Sequence, residues 1–178
     1  MLTFRQATVA DWEFISRGFH TAMLMDDATD DSIREFGELI CQRDDVLYSA
    51  RNTTIAQLDG HDAGMITAYD GRYYRQWRDT TFRLVREKMH LEFPGMEDEA
   101  VPGEYYLDSL AVWPAFRGKG IGRKLLEQAI ARGQELGLTV TLAVDPVNIR
   151  AQRLYESLGF RRTTDLFIFG HTYWKMEI

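Results

Sequence analysis

A glycine-rich turn is the part of this 178-residue chain best suited to binding an anion. It lies between Ala115 and Leu126, contains Gly118, Gly120 and Gly122, and joins an apolar run to an amphipathic helical pattern. The first backbone N–H groups of a helix have no partner within the helix, and the helix dipole adds positive charge there. Because glycine has no Cβ, a phosphate can come close to such a backbone. The arrangement therefore predicts a phosphate-binding loop.

The spacing of the loop residues separates it from two common phosphate-binding patterns. A P-loop needs Lys-Ser or Lys-Thr after a glycine, and a dinucleotide-binding fingerprint needs a third glycine where this chain has Arg123. What remains is Arg-x-x-Gly-x-Gly, at Arg117, Gly120 and Gly122. This pattern resembles the pyrophosphate loop of the GCN5-related N-acetyltransferase (GNAT) family, which binds acetyl-CoA. The alternative for the loop alone is an ordinary glycine-rich turn into a helix.

A second pattern, one helix and one strand further along the chain, strengthens the resemblance. An asparagine is followed by alanine, by Leu-Tyr and then by Gly-Phe, at spacings similar to those of the second core motif of the same family. The resemblance covers Glu104 to Phe160, and the N-terminal half matches only in the order of its elements. The residues of the second pattern are Asn148, Ala151, Leu154, Tyr155, Gly159 and Phe160.

The resemblance implies how acetyl-CoA is bound. The loop would bind the pyrophosphate, the central strand would splay from the next parallel strand, and the pantetheine arm would lie in the gap between them. Asn148 would hydrogen-bond that arm. No metal is expected, because the histidines and the one cysteine show no ligand spacing. The implied acetyl-CoA contacts are Leu110, Ala111, Val112, Arg117, Gly118, Lys119, Gly120, Ile121, Gly122, Asn148, Arg150 and Tyr155.

Acetyl transfer to an amine also requires an acid and a base. Tyr155 resembles the family's tyrosine acid, and a phenol with a pKa of about 10 can protonate a leaving thiolate whose thiol has a pKa of about 8.5. The amine must lose a proton, and a carboxylate can accept it. Glu104 opens the central strand, and Asp108, four residues on, faces the same side by the two-residue period of a strand. Either carboxylate could be the base or could bind a cationic amine, and Glu104 could also be a solvated residue at a strand end.

The order of predicted elements indicates one mixed α/β domain over residues 1–178. The resemblance implies the single-domain GNAT fold, with a central mixed sheet, helices on both faces and a splayed parallel strand pair. Residues 72–103 depart from the family pattern and are interpreted as a helical insertion that ends in a solvated acidic loop at Glu97–Glu99. Tyr74 and Trp77 on this insertion are candidate acceptor contacts, and packing on the sheet or on a second subunit is the alternative.

Charge and hydropathy limit the classes of partner and the cellular locations that we expect. A net charge of −6 argues against nucleic acid as the main partner, and it is compatible with a cationic substrate. Cys41 is interpreted as a core residue. Without an apolar run of membrane-spanning length or a signal-like N-terminus, we expect no membrane partner and a cytoplasmic location. The apolar closing strands make a homodimer one option.

The resemblance to the GNAT family implies an enzyme that transfers the acetyl group of acetyl-CoA directly, through a ternary complex, to a primary amine of a small molecule or a peptide. Two alternatives use the same fold. One is a sensor or regulatory domain that binds acyl-CoA without turnover, and the other is a structural relative that has lost the cofactor. The acceptor is left open.

Overall fold

The computed structural model of the chain describes residues 1–23, 25 and 28–178. Its seven strands form one sheet in the order β1-β2-β3-β4-β5-β7-β6, in which β4 and β5 are parallel and the other neighbours are antiparallel. The strands are β1 (Leu2–Gln6), β2 (Thr53–Leu58), β3 (His61–Asp70), β4 (Glu104–Val112), β5 (Thr139–Val144), β6 (Arg161–Ile168) and β7 (His171–Glu177).

Helices cover both faces of this sheet. One face carries a buried cluster that includes Ile15, Ile40 and Trp77, and the other carries a cluster that includes Leu125 and Val140. The predicted mixed fold with helices on both faces is therefore confirmed. The helices are α1 (Trp12–Ala22), α2 (Asp30–Phe36), α3 (Tyr74–Met89), α4 (Ile121–Glu135) and α5 (Ile149–Ser157), and α2 continues into a π-helical turn at Gly37–Cys41.

Cys41 lies in the core beneath α1 and α2. Its side chain is fully buried, and this removal from water raises the pKa of the thiol well above its ordinary range. A thiol held protonated is a poor nucleophile. The prediction that Cys41 is a core residue is confirmed.

The parallel pair β4–β5 separates part-way along its length. Residues Glu104 to Leu107 pair with Thr139 to Leu142, and β5 then pairs with β7 up to Val144 while β4 continues alone to Val112 on that side. The predicted splay is confirmed, and it leaves a gap in the middle of the sheet.

A bulge interrupts β4 on its other side, where it pairs with β3. Thr67 pairs with Ser109 and Ala68 pairs with Leu107, so Asp108 has no direct partner on β3. A bulge adds a residue to one strand and redirects the side chains near it. It lies where the gap begins, and Asp108 and Ala111 both line the resulting cavity.

Candidate active site

The gap between β4 and β5 opens into a cavity of about 670 Å³. Its walls come from the end of β4, the glycine-rich loop, the end of β5 and the first turns of α5. A cavity of this size, placed where two parallel strands separate, can hold an extended ligand whose amides pair with the free strand edge.

The glycine-rich loop forms one end of the cavity. Gly118 and Gly120 both have φ of +77°, and no atom lies within 4 Å of the position that a Cβ would take at either residue. Gly120 is the N-cap of α4, so the free N–H groups of that helix begin here. Arg117 donates a 3.0 Å hydrogen bond from Nε to the Val112 carbonyl, which fixes the guanidinium beside the loop. This end has the features of a pyrophosphate site.

Helix α5 brings Asn148 and Tyr155 to the same cavity. The Asn148 Oδ1 accepts a 3.1 Å hydrogen bond from the Ala151 N–H and caps the helix, which leaves the amide NH₂ available to a ligand. The ring of Tyr155 is partly buried, and removal from water raises its pKa to about 12. Tyr155 is therefore a neutral phenol at physiological pH.

Most of the residues predicted to contact acetyl-CoA line this one cavity. Lys119 is the exception, since it does not line the cavity. Its Nζ lies 5.3 Å from the centroid of the Phe116 ring. The predicted residues in the lining are Leu110, Ala111, Val112, Arg117, Gly118, Gly120, Ile121, Gly122, Asn148, Arg150 and Tyr155.

Two carboxylates and several tyrosines form the other end of the cavity. Asp108 lines it as predicted, and so does Glu99, which comes from the acidic run. The Asp108 carboxylate accepts hydrogen bonds from the Tyr69 hydroxyl at 2.6 Å and from the Ser109 hydroxyl at 2.7 Å. We call Glu99 and Asp108, with the tyrosines that contact them, the acidic end.

Glu99 is the more deeply buried of the two carboxylates, with 6% of its surface exposed. It accepts hydrogen bonds from the Tyr106 hydroxyl at 2.7 Å and from the Tyr74 hydroxyl at 3.3 Å. Burial, followed by the neighbouring charge of Asp108, raises the pKa of Glu99 to about 8. Burial also raises the pKa of Asp108, although the hydrogen bonds from Tyr69 and Ser109 oppose this shift. The acidic end therefore binds a proton more tightly than exposed carboxylates do, which suits a group that takes a proton from an ammonium.

The expectation that Glu97–Glu99 is a solvated loop is wrong for Glu99. The sequence shows only an acidic run between glycine and proline breakers, which is typical of solvent-exposed chain. Glu99 is satisfied by Tyr106 on β4 and by Tyr74, 25 residues away on α3. Partners at that separation leave no local pattern, so sequence reasoning missed this residue.

Glu104 is held in an ion pair outside the cavity. Lys175 Nζ lies 2.7 Å from its carboxylate, and the two side chains are 11% and 16% exposed, respectively. The carboxylate also accepts hydrogen bonds from Thr141 and from the Val101 N–H. Since Glu104 does not line the cavity and its carboxylate is paired with Lys175, the geometry does not support its predicted role as the base.

We expect Glu104→Gln to reduce stability without changing catalysis. The free energy of unfolding should fall by about 3 kcal/mol, because Lys175 keeps a buried charge without its partner. Urea denaturation measures this loss, and Lys175→Met in the same chain should restore part of it. A large loss of kcat with unchanged stability would instead support the predicted role of Glu104 as the base.

Tyr74 and Trp77 do not line the large cavity. Tyr74 is fully buried, with its hydroxyl on Glu99. Trp77 stacks on Tyr73 and borders a second cavity of about 400 Å³, which shares no lining residue with the first. The geometry therefore supports the packing alternative for α3 and gives no support to direct acceptor contacts by these two residues.

The comparison with known proteins agrees with this geometry. The sequence model of the acetyltransferase (GNAT) family matches residues 19–160. The chain belongs to the GNAT family. A crystal structure described as that of an acetyltransferase superposes with a TM-score of 0.77, at 26% identity, over 98% of this chain and 97% of that one. The predicted family and fold are thereby confirmed.

Two curated relatives are similar to part of the chain. N-alpha-acetyltransferase 40 of Saccharomyces cerevisiae is 39% identical over 93 residues, which is 47% of this chain and 32% of that protein. Mycothiol acetyltransferase of Propionibacterium freudenreichii is 35% identical over 109 residues, 56% of this chain and 34% of that protein. The matched region thus spans about a third of the length of these relatives.

Among residues 1–23, 25 and 28–178, no group of three or more His, Cys, Asp or Glu side chains is placed to bind a metal ion. Within the same residues, no helix combines the length and apolar character needed to cross a bilayer.

Proposed function

We propose that the protein transfers the acetyl group of acetyl-CoA to a primary amine, directly and within a ternary complex. The observation that carries this proposal is the single cavity in which the glycine-rich loop, the free edge of β4, Tyr155 and the acidic end all meet. The loop suits the pyrophosphate, and the strand edge suits the amides of pantetheine. The two ends of the cavity therefore fit the two substrates of the reaction.

The residues of the cavity have distinct tasks in this proposal. Acetyl-CoA supplies the thioester that is attacked. The loop and Asn148 fix the thioester between Tyr155 and the acidic end, and this positioning lowers the entropic part of the barrier. Tyr155, a neutral phenol, provides the proton for the leaving sulfur. A carboxylate of the acidic end accepts the proton of the substrate ammonium.

The acceptor is a cationic amine in this proposal, because two carboxylates and three tyrosines line the end of the cavity that it would occupy. The names of the two relatives refer to an N-alpha position in one case and to mycothiol in the other, so small molecules and peptides both stay within the proposed class. The tyrosines that line this end and its entrance are Tyr48, Tyr106 and Tyr173.

The non-catalytic alternative is an acyl-CoA sensor of the same fold. A sensor would need the loop and the strand edge but neither a proton donor at the thioester nor carboxylates beside it. Tyr155, Glu99 and Asp108 line the same cavity as the loop, which favours the enzyme. The acceptor-binding role of Tyr74 and Trp77 and the catalytic role of Glu104 are not part of the proposal.

Three further features stay predictions. We propose that residues 1–178 act as one acetyltransferase domain and that 72–103, which contains α3, is an insertion into it. A cytoplasmic location and a homodimer rest on the sequence patterns alone. Analytical ultracentrifugation would measure the oligomeric state.

The test of the proposed function is a titration with acetyl-CoA followed by turnover. Isothermal calorimetry should give a dissociation constant between micromolar and millimolar values for acetyl-CoA. The complex is then mixed with a panel of polyamines, aminoglycosides, amino acids and peptides, and the release of free thiol is measured. Absence of acetyl-CoA binding would refute the proposal, while binding without thiol release on any amine would favour the sensor.

A further inference from the structure

The acidic run at residues 97–99 contacts three different parts of the fold with three consecutive side chains. Glu97 pairs with β6: its N–H donates to the Phe167 carbonyl at 3.0 Å, and its carboxylate accepts the Phe167 N–H at 2.5 Å. Asp98 points to α3, and Glu99 enters the cavity. We call residues 97–99 the acidic latch.

Asp98 ties the latch to the insertion helix. Its carboxylate accepts a 2.6 Å hydrogen bond from Arg75 Nε and pairs with the Arg78 guanidinium. The Asp98 side chain is 17% exposed, and that of Arg78 is 20% exposed. Arg78 also lies over the ring of Tyr74, with its Cζ 5.6 Å from the centroid. Helix α3 therefore binds Asp98 through Arg75 and Arg78, and it contacts Glu99 through the Tyr74 hydroxyl.

The residues after the latch are fixed as well. Ala100 is buried, and the Val101 carbonyl packs so closely on the turn before α3 that a Cβ on Gly71 would lie 2.2 Å from it. The Val101 carbonyl accepts the Glu104 N–H at 3.2 Å, which leads directly into β4. The backbone on both sides of Glu99 is thus held, and its carboxyl has little freedom to leave the cavity.

Of the two carboxylates at the acidic end, Glu99 is the better proton acceptor. Both oxygens of Asp108 accept short hydrogen bonds, at 2.6 and 2.7 Å, which stabilise its charged form. Glu99 has one short hydrogen bond, and its Oε1 receives only the 3.3 Å contact from Tyr74. Among the described residues, Oε1 therefore has more hydrogen-bonding capacity left for an incoming ammonium than Oε2 has.

We propose that Glu99 is the base that deprotonates the acceptor ammonium, and that Asp98, held by Arg75 and Arg78, is the positioning residue that keeps Glu99 in the cavity. The inference rests on the proposed function and assigns the insertion a part in it. Helix α3 supplies the anchor for the catalytic carboxylate and need not touch the acceptor itself.

The protons and bonds balance as follows. The ammonium N–H bond breaks, its proton goes to Glu99, and the nitrogen lone pair attacks the thioester carbonyl carbon. As the C–N bond completes and the C–S bond breaks, Tyr155 gives its proton to the sulfur and regains one from the acylated nitrogen. Glu99 then releases its proton to water, so one ammonium and one thioester yield an amide, a thiol and a proton.

Kinetics of matched variants test the assignment. With an acceptor from the panel, Glu99→Gln should lower kcat/KM roughly 100-fold, in the range of general-base contributions. Because the base must be ionised, wild-type kcat/KM should rise as pH increases through about 8, the pKa that burial gives Glu99, and the variant should lose this rise. Asp98→Ala should lower kcat/KM roughly 10-fold and move the inflection to lower pH, since a released Glu99 is better solvated.

Controls separate this inference from the proposed function. Glu87→Gln removes another carboxylate of α3, which pairs with Arg83 on the surface, and should leave the pH profile unchanged. Asp98→Glu should recover part of the lost activity. Every variant should bind acetyl-CoA like the wild type, and failure of the wild type itself to bind would refute the proposed function instead.

A second measurement needs no acceptor. A carboxyl whose pKa is higher in the folded than in the unfolded state lowers stability as pH rises between the two values. The melting temperature of the wild type should therefore fall relative to that of Glu99→Gln as pH rises from 5 to 9. The same comparison between Asp98→Ala and the double variant Asp98→Ala/Glu99→Gln should give a smaller fall. Parallel curves, or Glu99→Gln with kcat/KM within twofold of wild type, would overturn the assignment. An Asp98→Ala enzyme that melts earlier but keeps the wild-type pH profile would reduce Asp98 to a structural residue.

Discussion

Replacing Gly120 by alanine is expected to weaken acetyl-CoA binding roughly 30-fold. The φ of +77° at this residue costs an L-amino acid about 1–2 kcal/mol. A loop that relaxes from this conformation also turns away an N–H that would contact the pyrophosphate, for about 1 kcal/mol more. With the lower value of the first contribution, the two amount to about 2 kcal/mol, or a factor of about 30 in the dissociation constant measured by calorimetry.

A second glycine provides the control for this prediction. Gly95, in the loop after α3, has φ of +71°, and its absent Cβ likewise has open space around it, but it does not line the cavity. Gly95→Ala should lower the melting temperature about as much as Gly120→Ala does, and it should leave acetyl-CoA affinity unchanged. If Gly120→Ala bound acetyl-CoA as the wild type does, the loop would not be the pyrophosphate site.

Removing the hydroxyl of Tyr155 is expected to slow turnover roughly 100-fold while acetyl-CoA affinity stays within about twofold. In Tyr155→Phe the thiolate must leave without a proton donor, and the ring keeps its packing against Phe160. Because the pKa of Tyr155 is about 12, its phenol stays protonated to well above pH 9. The substitution should therefore lower kcat equally across pH 6–9 and keep the inflection near pH 8.

Rapid-mixing measurements of thiol release would separate the chemical step from product release in this variant. Tyr105→Phe, which removes a hydroxyl beside the second cavity, is the matched control and should keep full activity. An increase in KM for acetyl-CoA with unchanged kcat would mean that Tyr155 binds the thioester and does not protonate it.

The half of the cavity that we propose binds acetyl-CoA could be located from the sequence because its residues are local. Arg117, Gly120 and Gly122 lie within one turn, and Asn148 and Tyr155 lie on one helix, so their spacing alone carries the pattern. The splay of β4 from β5 came from the family resemblance, and the structure confirms it. Lys119, a basic residue inside the motif, lies over the Phe116 ring, and its contact with acetyl-CoA stays a prediction.

The acidic end was harder to predict because it is built from distant parts of the chain. Glu104 and Glu99 are five residues apart, yet the first is neutralised by Lys175, 71 residues away, and the second enters the cavity. Which glutamate is buried and which is paired depends on the path of the insertion across the sheet, and this path leaves no periodic signal. Asp108 lines the cavity, and this position agrees with the expectation that a charge in the middle of a strand needs a polar environment.

The separation of β4 and β5 also has a mechanical consequence. The sheet consists of two plates, β1–β4 and β5–β7–β6, joined by hydrogen bonds over only the four residue pairs from Glu104–Thr139 to Leu107–Leu142. An acetyl-CoA molecule lying beyond this short seam would contact both plates and continue the joint with its own amides. The bound co-substrate would then complete the sheet. The free energy of unfolding would rise with the logarithm of the acetyl-CoA concentration above the dissociation constant. The rigidity of the joint between the two parts of the sheet would therefore depend on the acetyl-CoA concentration.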